Sequence, residues 1–194
     1  MTVTAIRALG FCAHYSKQGD WAFDHALRIA QKLSVQLNVF HFLSDPYDPD
    51  DRTSERYSAS ELATLAIERE RHLRLYYDER AGDYLDVGFR LCHDDSWLEL
   101  HRCLMIREFQ VLFLADPGGG ATFAGKPIEE FAYGFVCPVV LVGPYKSTQL
   151  RLNASAAILA DRLELAGERW YSVRPDLTGT GAARDIWRGH SGTG

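Results

Sequence analysis

The segment 110–144 constrains the fold more than any other part of the chain. It contains two continuous apolar runs, Val111–Ala115 and Val139–Val142. Runs of this length without polar alternation are typical of strands that are buried on both faces. Three glycines and a short helical pattern around Phe131 lie between the two runs. Two buried strands joined through a helix predict a right-handed βαβ unit with parallel strands.

The chain before this unit alternates in the same way. Strand-like segments occupy 5–13, 35–43 and 85–92. Helical patterns follow them, with alanines at a four-residue interval (Ala22, Ala26, Ala30), a long charged helix over 61–81 and a third helix over 96–105. This order predicts an α/β fold with a doubly wound, five-stranded parallel sheet of order 3-2-1-4-5, a flavodoxin-like three-layer sandwich.

Local signals predict caps and loops. Asp20, Asn153 and either Asp95 or Ser96 are placed to cap helices. The segment 44–60 has two prolines and five acidic residues without an apolar period, which predicts a mobile loop.

The pattern changes after Tyr145, so we predict one domain over 1–145 and an extension over 146–194. Within the extension we expect one helix that ends at Gly167, then a short strand or docking segment at Trp170–Val173. From Arg174 a loose tail is expected, in which the large apolar residues Ile186 and Trp187 could anchor the tail to the domain or to a partner.

Composition excludes several classes of function. The formal net charge of -5 gives no large cationic field, which argues against nucleic acid or an anionic membrane as the main partner. No apolar run approaches the length of a membrane span, and the first residues do not resemble a signal peptide. We therefore expect a cytoplasmic protein whose four separated cysteines are reduced and structural.

The glycine-rich turn partly matches a phosphate-binding P-loop, from Gly120 to Gly125-Lys126. Pro127, however, stands where that loop needs a magnesium-binding hydroxyl, and proline removes an amide. Glu129 and Glu130 would repel an anion at the start of the next helix. A turn that closes the loop, with weakened affinity for anions, is the better interpretation.

Polar residues also gather at the predicted carboxyl ends of three strands: Cys12, His14, His41, Cys92, His93 and Asp94. Thiolates and imidazoles are good zinc ligands. Strand alternation would turn some of these side chains inward and others outward, so buried cysteines and a hydrogen-bonded His41 are the simpler interpretation. Helix capping explains Asp94-Asp95, and no catalytic triad spacing is present. We predict no metal, no catalytic residue and no enzymatic activity.

The ordered pieces resemble the universal stress protein family over about 4–144. The relevant residues are Ala13-His14-Tyr15-Ser16 before the alanine-rich helix, Val39-Phe40-His41-Phe42 in the second strand and Cys137-Pro138-Val139 at the last strand. The resemblance implies a fold that binds ATP in many members, with a glycine-rich loop around the phosphates.

The sequence departs from the family at that site. His14 takes the position of the family's nucleoside-binding Asp, Ala115 replaces the first glycine, and Gly125-Lys126 stands for the later Gly-Ser. The candidate nucleotide-contacting residues are His14, Ser16, Gly118, Gly119, Gly120, Gly125 and Lys126. We expect a regulatory protein without a required cofactor and with a degenerate nucleotide site. The alternative is a weak ATP or adenine-nucleotide module that uses the Gly118–Gly125 loop.

The last strand carries the expectation about partners. In the proposed order, Val139–Val142 lies at an edge without Lys, Glu or an internal proline, which makes it a template for pairing. The resemblance agrees with a homodimer through this strand. The competing possibility is that the extension covers the edge, or contacts another protein.

Overall fold

The computed structural model describes residues 5–51, 53–93, 95–165 and 167–173. Its strands are β1 (Ala8–Cys12), β2 (Gln36–Phe42), β3 (Val87–Cys92), β4 (Val111–Ala115), β5 (Thr122–Phe123), β6 (Lys126–Pro127), β7 (Val139–Val142), β8 (Leu150–Leu152) and β9 (Trp170–Ser172). Its helices are α1 (Lys17–Leu33), α2 (Thr53–Arg56), α3 (Ala59–Ala81), α4 (Ser96–Met105), α5 (Ile128–Gly134) and α6 (Ala154–Ile158). Among the described residues, no helix is both long and apolar enough to cross a membrane.

The main sheet has seven strands in the order β3-β2-β1-β4-β7-β8-β9. The first five are parallel, with Leu9 opposite both Leu37 and Val111 in the centre. The predicted doubly wound α/β sheet and its strand order are therefore confirmed. The sheet continues further than predicted, because β8 adds antiparallel to β7 and β9 adds parallel to β8.

Two hydrophobic cores lie on the two faces of the sheet. One core packs α1 and α3 against the sheet, and the other packs α4 and α5 against the opposite face. Along β4, Val111 and Phe113 point to the first core, whereas Leu112 and Leu114 point to the second. Since both faces are covered, every residue of this strand is buried and apolar, as its continuous run predicts.

Two of the three predicted helix caps are observed. The side chains of Asp95 and Asn153 cap α4 and α6 as predicted. The cap of α1 is Ser16, whose hydroxyl accepts the Gly19 amide; the expectation for Asp20 is wrong because this carboxylate is used elsewhere. It accepts a hydrogen bond of 2.6 Å from the hydroxyl of Tyr76, which ties α1 to α3.

The segment 44–60 is more ordered than predicted, since it contains α2 and the start of α3. Ser58 and Glu61 form a capping box there: the Ser58 amide donates to the Glu61 carboxylate at 2.8 Å. The turn before α2 is held by Asp51, which accepts hydrogen bonds from the amide of Asp45 and from Thr53. Hydrogen bonds between side chains and nearby backbone therefore order this segment, although it has no apolar period.

The extension departs from the sequence prediction in its helix and in its effect on the sheet. Among the described residues of 153–167, only α6 forms where the sequence predicts a helix that ends at Gly167, although the predicted short strand at Trp170 is confirmed. Val139–Val142 is not an edge strand, because β8 and β9 lie outside it. The predicted edge is therefore wrong, while homodimerisation stays a prediction. The predicted loose tail from Arg174, with Ile186 and Trp187, lies outside the described residues.

Candidate functional site

The carboxyl ends of β1 and β4 mark the point where the strand order reverses. From β1 the chain winds through β2 to β3 in one direction, and β4 and β7 lie on the other side. Ligands of doubly wound folds bind in the crevice at this position. We call it the filled half of the carboxyl edge, because the chain itself occupies it.

Tyr47 is the residue that fills this crevice. Its ring centre lies 4.2 Å from that of His14, after β1, and 4.9 Å from that of Phe123, after β4. Its hydroxyl accepts the amide of Ala115, the last residue of β4, at 3.1 Å. Burial raises the pKa of Tyr47 well above its usual value, so the phenol stays neutral. An aromatic ring with one polar atom thus spans the two strand ends.

The backbone around Tyr47 is fixed on both sides. Its own amide donates to the Asp45 side chain at 2.9 Å, and its carbonyl accepts the Thr122 hydroxyl at 3.2 Å. The carbonyl of the preceding Pro46 accepts the amide of Ala124 at 2.8 Å. The loop after β2 is therefore hydrogen-bonded to the glycine-rich segment after β4.

That glycine-rich segment forms a small hairpin. Strands β5 and β6 pair antiparallel around Ala124 and Gly125, whose φ angles of 50° and 72° suit a tight hairpin turn. The Ala121 amide donates to the carbonyl of Gly118, and the Ile128 amide donates to the carbonyl of Ala121. Several amides that would face a phosphate in a P-loop are thus bonded within the chain.

The predicted nucleotide-contacting residues are engaged in different contacts within the chain. His14 and Ser16 are bonded to each other at 2.6 Å beside Tyr47, and burial lowers the pKa of His14. Gly118 follows β4 and donates its amide to the Asp116 carboxylate at 2.9 Å. The ammonium of Lys126 lies 4.8 Å from the ring centre of Trp97 on α4. The Lys126 side chain is therefore directed towards Trp97, which packs against the second core.

Three of the predicted glycines leave room around the backbone. A methyl group added at Gly119, Gly120 or Gly125 would meet no atom within 4 Å. At Gly118 it would come within 2.7 Å of Pro144, so this glycine is needed for close packing. All four have φ angles between 65° and 77°, a conformation that glycine adopts without strain.

An ion-pair cluster beside the loop, formed by Asp116, Arg151 and Glu129, is not predicted by the sequence. Asp116 is 2% exposed and is bonded to Arg151 of β8, whose guanidinium also donates to Glu129 at 2.8 Å. Burial raises the pKa of Asp116, and Arg151 partly opposes this shift. The only sequence signal is a lone arginine between Leu150 and Leu152, because the partners are distant in the chain.

Beside the filled half, a pocket of about 420 Å³ remains at the ends of β1 and β2. We call it the open half. Burial, together with Arg69 and His72, lowers the pKa of His41 to about 4, and burial raises the pKa of Tyr15 to about 12. Arg69 donates to the carbonyl groups of Phe42 and Leu43, which anchors α3 to the end of β2. The residues that line the open half are Ala13, His14, Tyr15, His41, Phe42, Asp45, Pro46, Asp48, Asp51, Arg69 and His72.

The cysteines are distributed differently from a metal site. Cys12 and Cys92 are buried free thiols in the second core, with Cys103 and Cys137, whereas His93 is exposed. Burial raises the pKa of Cys12 well above its usual value, which keeps the thiol protonated. In the part of the chain that the structure describes, no three His, Cys, Asp or Glu side chains are arranged to hold a metal. Asp94 lies outside the described residues.

The fold was compared with known proteins. No family model and no curated sequence matches the chain. Among solved structures, the universal stress protein UspA from Lactobacillus plantarum has a TM-score of 0.53 and 12% identity, covering 72% of this chain and 99% of the other. A universal stress family protein from Burkholderia pseudomallei has a TM-score of 0.49 and 18% identity, covering 70% and 94%. A universal stress protein in complex with cAMP has a TM-score of 0.48 and 18% identity, covering 73% and 99%.

These similarities concern the arrangement of the chain. The UspA structure is matched over nearly its whole length, so the chain has the fold of a universal stress protein. The resemblance predicted from the sequence is confirmed at this level.

Proposed function

We propose that the chain is a cytoplasmic, non-enzymatic regulatory protein of the universal-stress type whose nucleotide site has degenerated. It acts through self-association and through contacts with other proteins. The observation that carries the proposal is the position of Tyr47 between the ends of β1 and β4. Because a nucleotide would need the same crevice, a bound ligand would have to displace this ring.

The contacts around the crevice support the same conclusion. The amides of Ala115, Gly118 and Ala124 are each engaged by an oxygen of the chain itself. Phosphate binding at a loop depends on backbone amides that point outward and on nearby positive charge. Here the Asp116 carboxylate accepts the Gly118 amide and shares Arg151 with Glu129, and the Lys126 ammonium lies over the ring of Trp97.

One observation favours the alternative, a weak adenine-nucleotide module. Gly119 and Gly120 have open space around them, and the open half lies on the other side of His14. A ligand that contacted both regions would need the loop after β2 to move. The hydrogen bonds that hold Tyr47 and Pro46 oppose this movement, so we favour the degenerate site.

The experiment is a nucleotide analysis of the whole protein purified from cells. The protein is denatured, and released nucleotide is quantified by absorbance and chromatography; titration calorimetry with ATP and cAMP follows. A universal stress protein that binds ATP, purified in parallel, is the positive control. We expect less than a tenth of a molecule of nucleotide per chain and no measurable heat. Stoichiometric nucleotide, or micromolar binding of either compound, would establish the alternative.

A further inference from the structure

The open half has the size of a site for a small molecule. Its volume of about 420 Å³ lies near the lower end of the range for ligand pockets, about 300–1,000 Å³. Two elements give it charges of opposite sign. Helix α3 contributes Arg69, and the loop after β2 contributes three carboxylates, those of Asp45, Asp48 and Asp51. A ligand that carries both charges would therefore find partners in one pocket.

Arg69 supplies the positive charge of the open half. Its guanidinium donates through Nη1 to the carbonyls of Phe42 and Leu43 at the end of β2, which fixes its position. Among the residues that the structure describes, no carboxylate forms an ion pair with this arginine, so Nη2 and Nε remain for a ligand. These two nitrogens form one edge of the guanidinium, and such an edge matches the two oxygens of a carboxylate.

Asp45 and Asp48 supply negative charge in fixed positions. Oδ1 of Asp45 accepts the Tyr47 amide at 2.9 Å. Oδ1 of Asp48 accepts the Asp50 amide, also at 2.9 Å. In the described part of the chain neither Oδ2 atom accepts a hydrogen bond, so both are available to an ammonium group. Asp51 differs from them, because both of its oxygens are hydrogen-bonded within the turn before α2.

Uncharged rings border the same pocket. Tyr15 is 42% exposed, and its ring centre lies 5.1 Å from that of His72 and 5.6 Å from that of His41. Tyr15 and His41 are uncharged at neutral pH, because burial raises the pKa of Tyr15 to about 12 and lowers that of His41 to about 4. Such rings pack against aliphatic groups, and the face of a tyrosine ring also attracts a cation. This border therefore suits the carbon chain of a small ligand.

We propose that the open half binds a free α-amino acid. The carboxylate of the ligand meets Nη2 and Nε of Arg69, and its side chain lies along Tyr15. Its ammonium group meets Asp45 or Asp48, and lysine, with two such groups, meets both. Because the carboxylates of the pocket outnumber the guanidinium, a basic amino acid binds more tightly than a neutral one, and an acidic one binds least. This inference goes beyond the proposed function, since the crevice that Tyr47 fills takes no part in it.

Titration calorimetry of the intact chain with a series of free ligands tests the inference. L-Lysine, L-leucine and L-glutamate compare ligand charge, and cadaverine is lysine without its carboxylate. We expect lysine to bind with a dissociation constant of about 1 mM or less, leucine more weakly and glutamate least. Cadaverine should bind at least about tenfold more weakly than lysine, because it offers Arg69 no carboxylate. No binding of lysine up to about 10 mM, or equal binding of lysine and cadaverine, would overturn the inference.

Matched variants separate the two charges of the pocket. Asp48→Asn keeps an oxygen for the Asp50 amide but removes the carboxylate, whereas Asp50→Asn changes an exposed neighbour that does not line the pocket. We expect the first to weaken lysine binding about tenfold and the second to leave it unchanged. Equal affinities in these two proteins would overturn the inference.

Arg69→Lys tests the carboxylate contact in a second way. It keeps a positive donor beside the carbonyls of Phe42 and Leu43 but lacks the planar edge of the guanidinium. We expect this variant to bind lysine about tenfold more weakly and cadaverine as the unchanged protein does. An unchanged melting temperature shows that the variant is folded, and unchanged affinity for lysine would argue against the assigned role of Arg69.

Discussion

The two halves of the sheet's carboxyl edge are covered by one loop but differ in how they are filled. In the filled half, Tyr47 lies between His14 and Phe123 and bonds to the end of β4. In the open half, Tyr15, 42% exposed, and His41 border a pocket of about 420 Å³. A crevice at the strand reversal thus becomes part of the core when a neighbouring loop supplies the side chain that fills it.

The carboxylates of the two halves also differ in burial and in their partners. Asp116 beneath the filled half is buried and bonded to Arg151. The carboxylates that border the open half, Asp45, Asp48 and Asp51, serve mainly as acceptors for backbone amides in turns. Changes to the filled half should therefore cost more stability than changes to the open half.

The largest effect is expected for Arg151→Met. It would leave the Asp116 carboxylate buried without its partner and close to Glu129. Removing one member of a buried ion pair costs about 3–5 kcal/mol. Urea unfolding measures the loss. Lys32→Met, which breaks a half-exposed pair, is the control and should cost at most about 1 kcal/mol. Equal losses for the two variants would mean that the cluster is not structural.

The next effect compares two tyrosines. Tyr47→Ala should lower the free energy of unfolding by about 2–4 kcal/mol, since it opens a cavity between His14 and Phe123. Tyr15→Ala in the open half should cost about 1 kcal/mol, because that ring already faces solvent. Chemical unfolding of both variants checks the order. A larger loss for Tyr15→Ala would show that the more tightly packed ring lies in the open half, contrary to this description.

The smallest effect is a pH dependence that originates in the open half. His41 has a pKa of about 4 in the folded chain, against 6.5 in the unfolded chain. The unfolded chain therefore binds more protons between these values, so the contribution of His41 to stability falls as pH drops from about 6.5 to about 4. His41→Phe should flatten the stability profile in this window. The exposed His93→Gln serves as control, and an unchanged slope in His41→Phe would argue against the assignment.

The sequence predicts the sheet well because its information is local. Val111–Ala115 and Val139–Val142 lack polar residues since both faces of these strands are covered. The apolar runs also show where the strands end, so the sequence predicts His14 and the glycines at the carboxyl ends of β1 and β4. Val139–Val142 was misplaced at an edge, because the short strand β8 has only three residues and no pattern that distinguishes it from a loop.

Tyr47 and Arg151 could not be predicted in their roles. Tyr47 belongs to a polar segment without an apolar period, and its partners Ala115 and Phe123 are far away in the chain. Arg151 meets Asp116 only after β8 has joined the sheet. The site is therefore determined by tertiary contacts between loops, whereas the sheet is determined by the composition of its strands.

Phenol, the fragment that Tyr47→Ala removes, tests directly whether Tyr47 fills the crevice. A cavity left by a removed side chain can bind a small molecule of matching shape, and binding to the folded state raises the melting temperature. Calorimetric melting of the variant and of the unchanged protein, each with and without millimolar phenol, gives the result. We expect a rise in melting temperature for Tyr47→Ala alone. No rise in the variant, or the same rise in both proteins, would contradict the claim that Tyr47 fills the crevice.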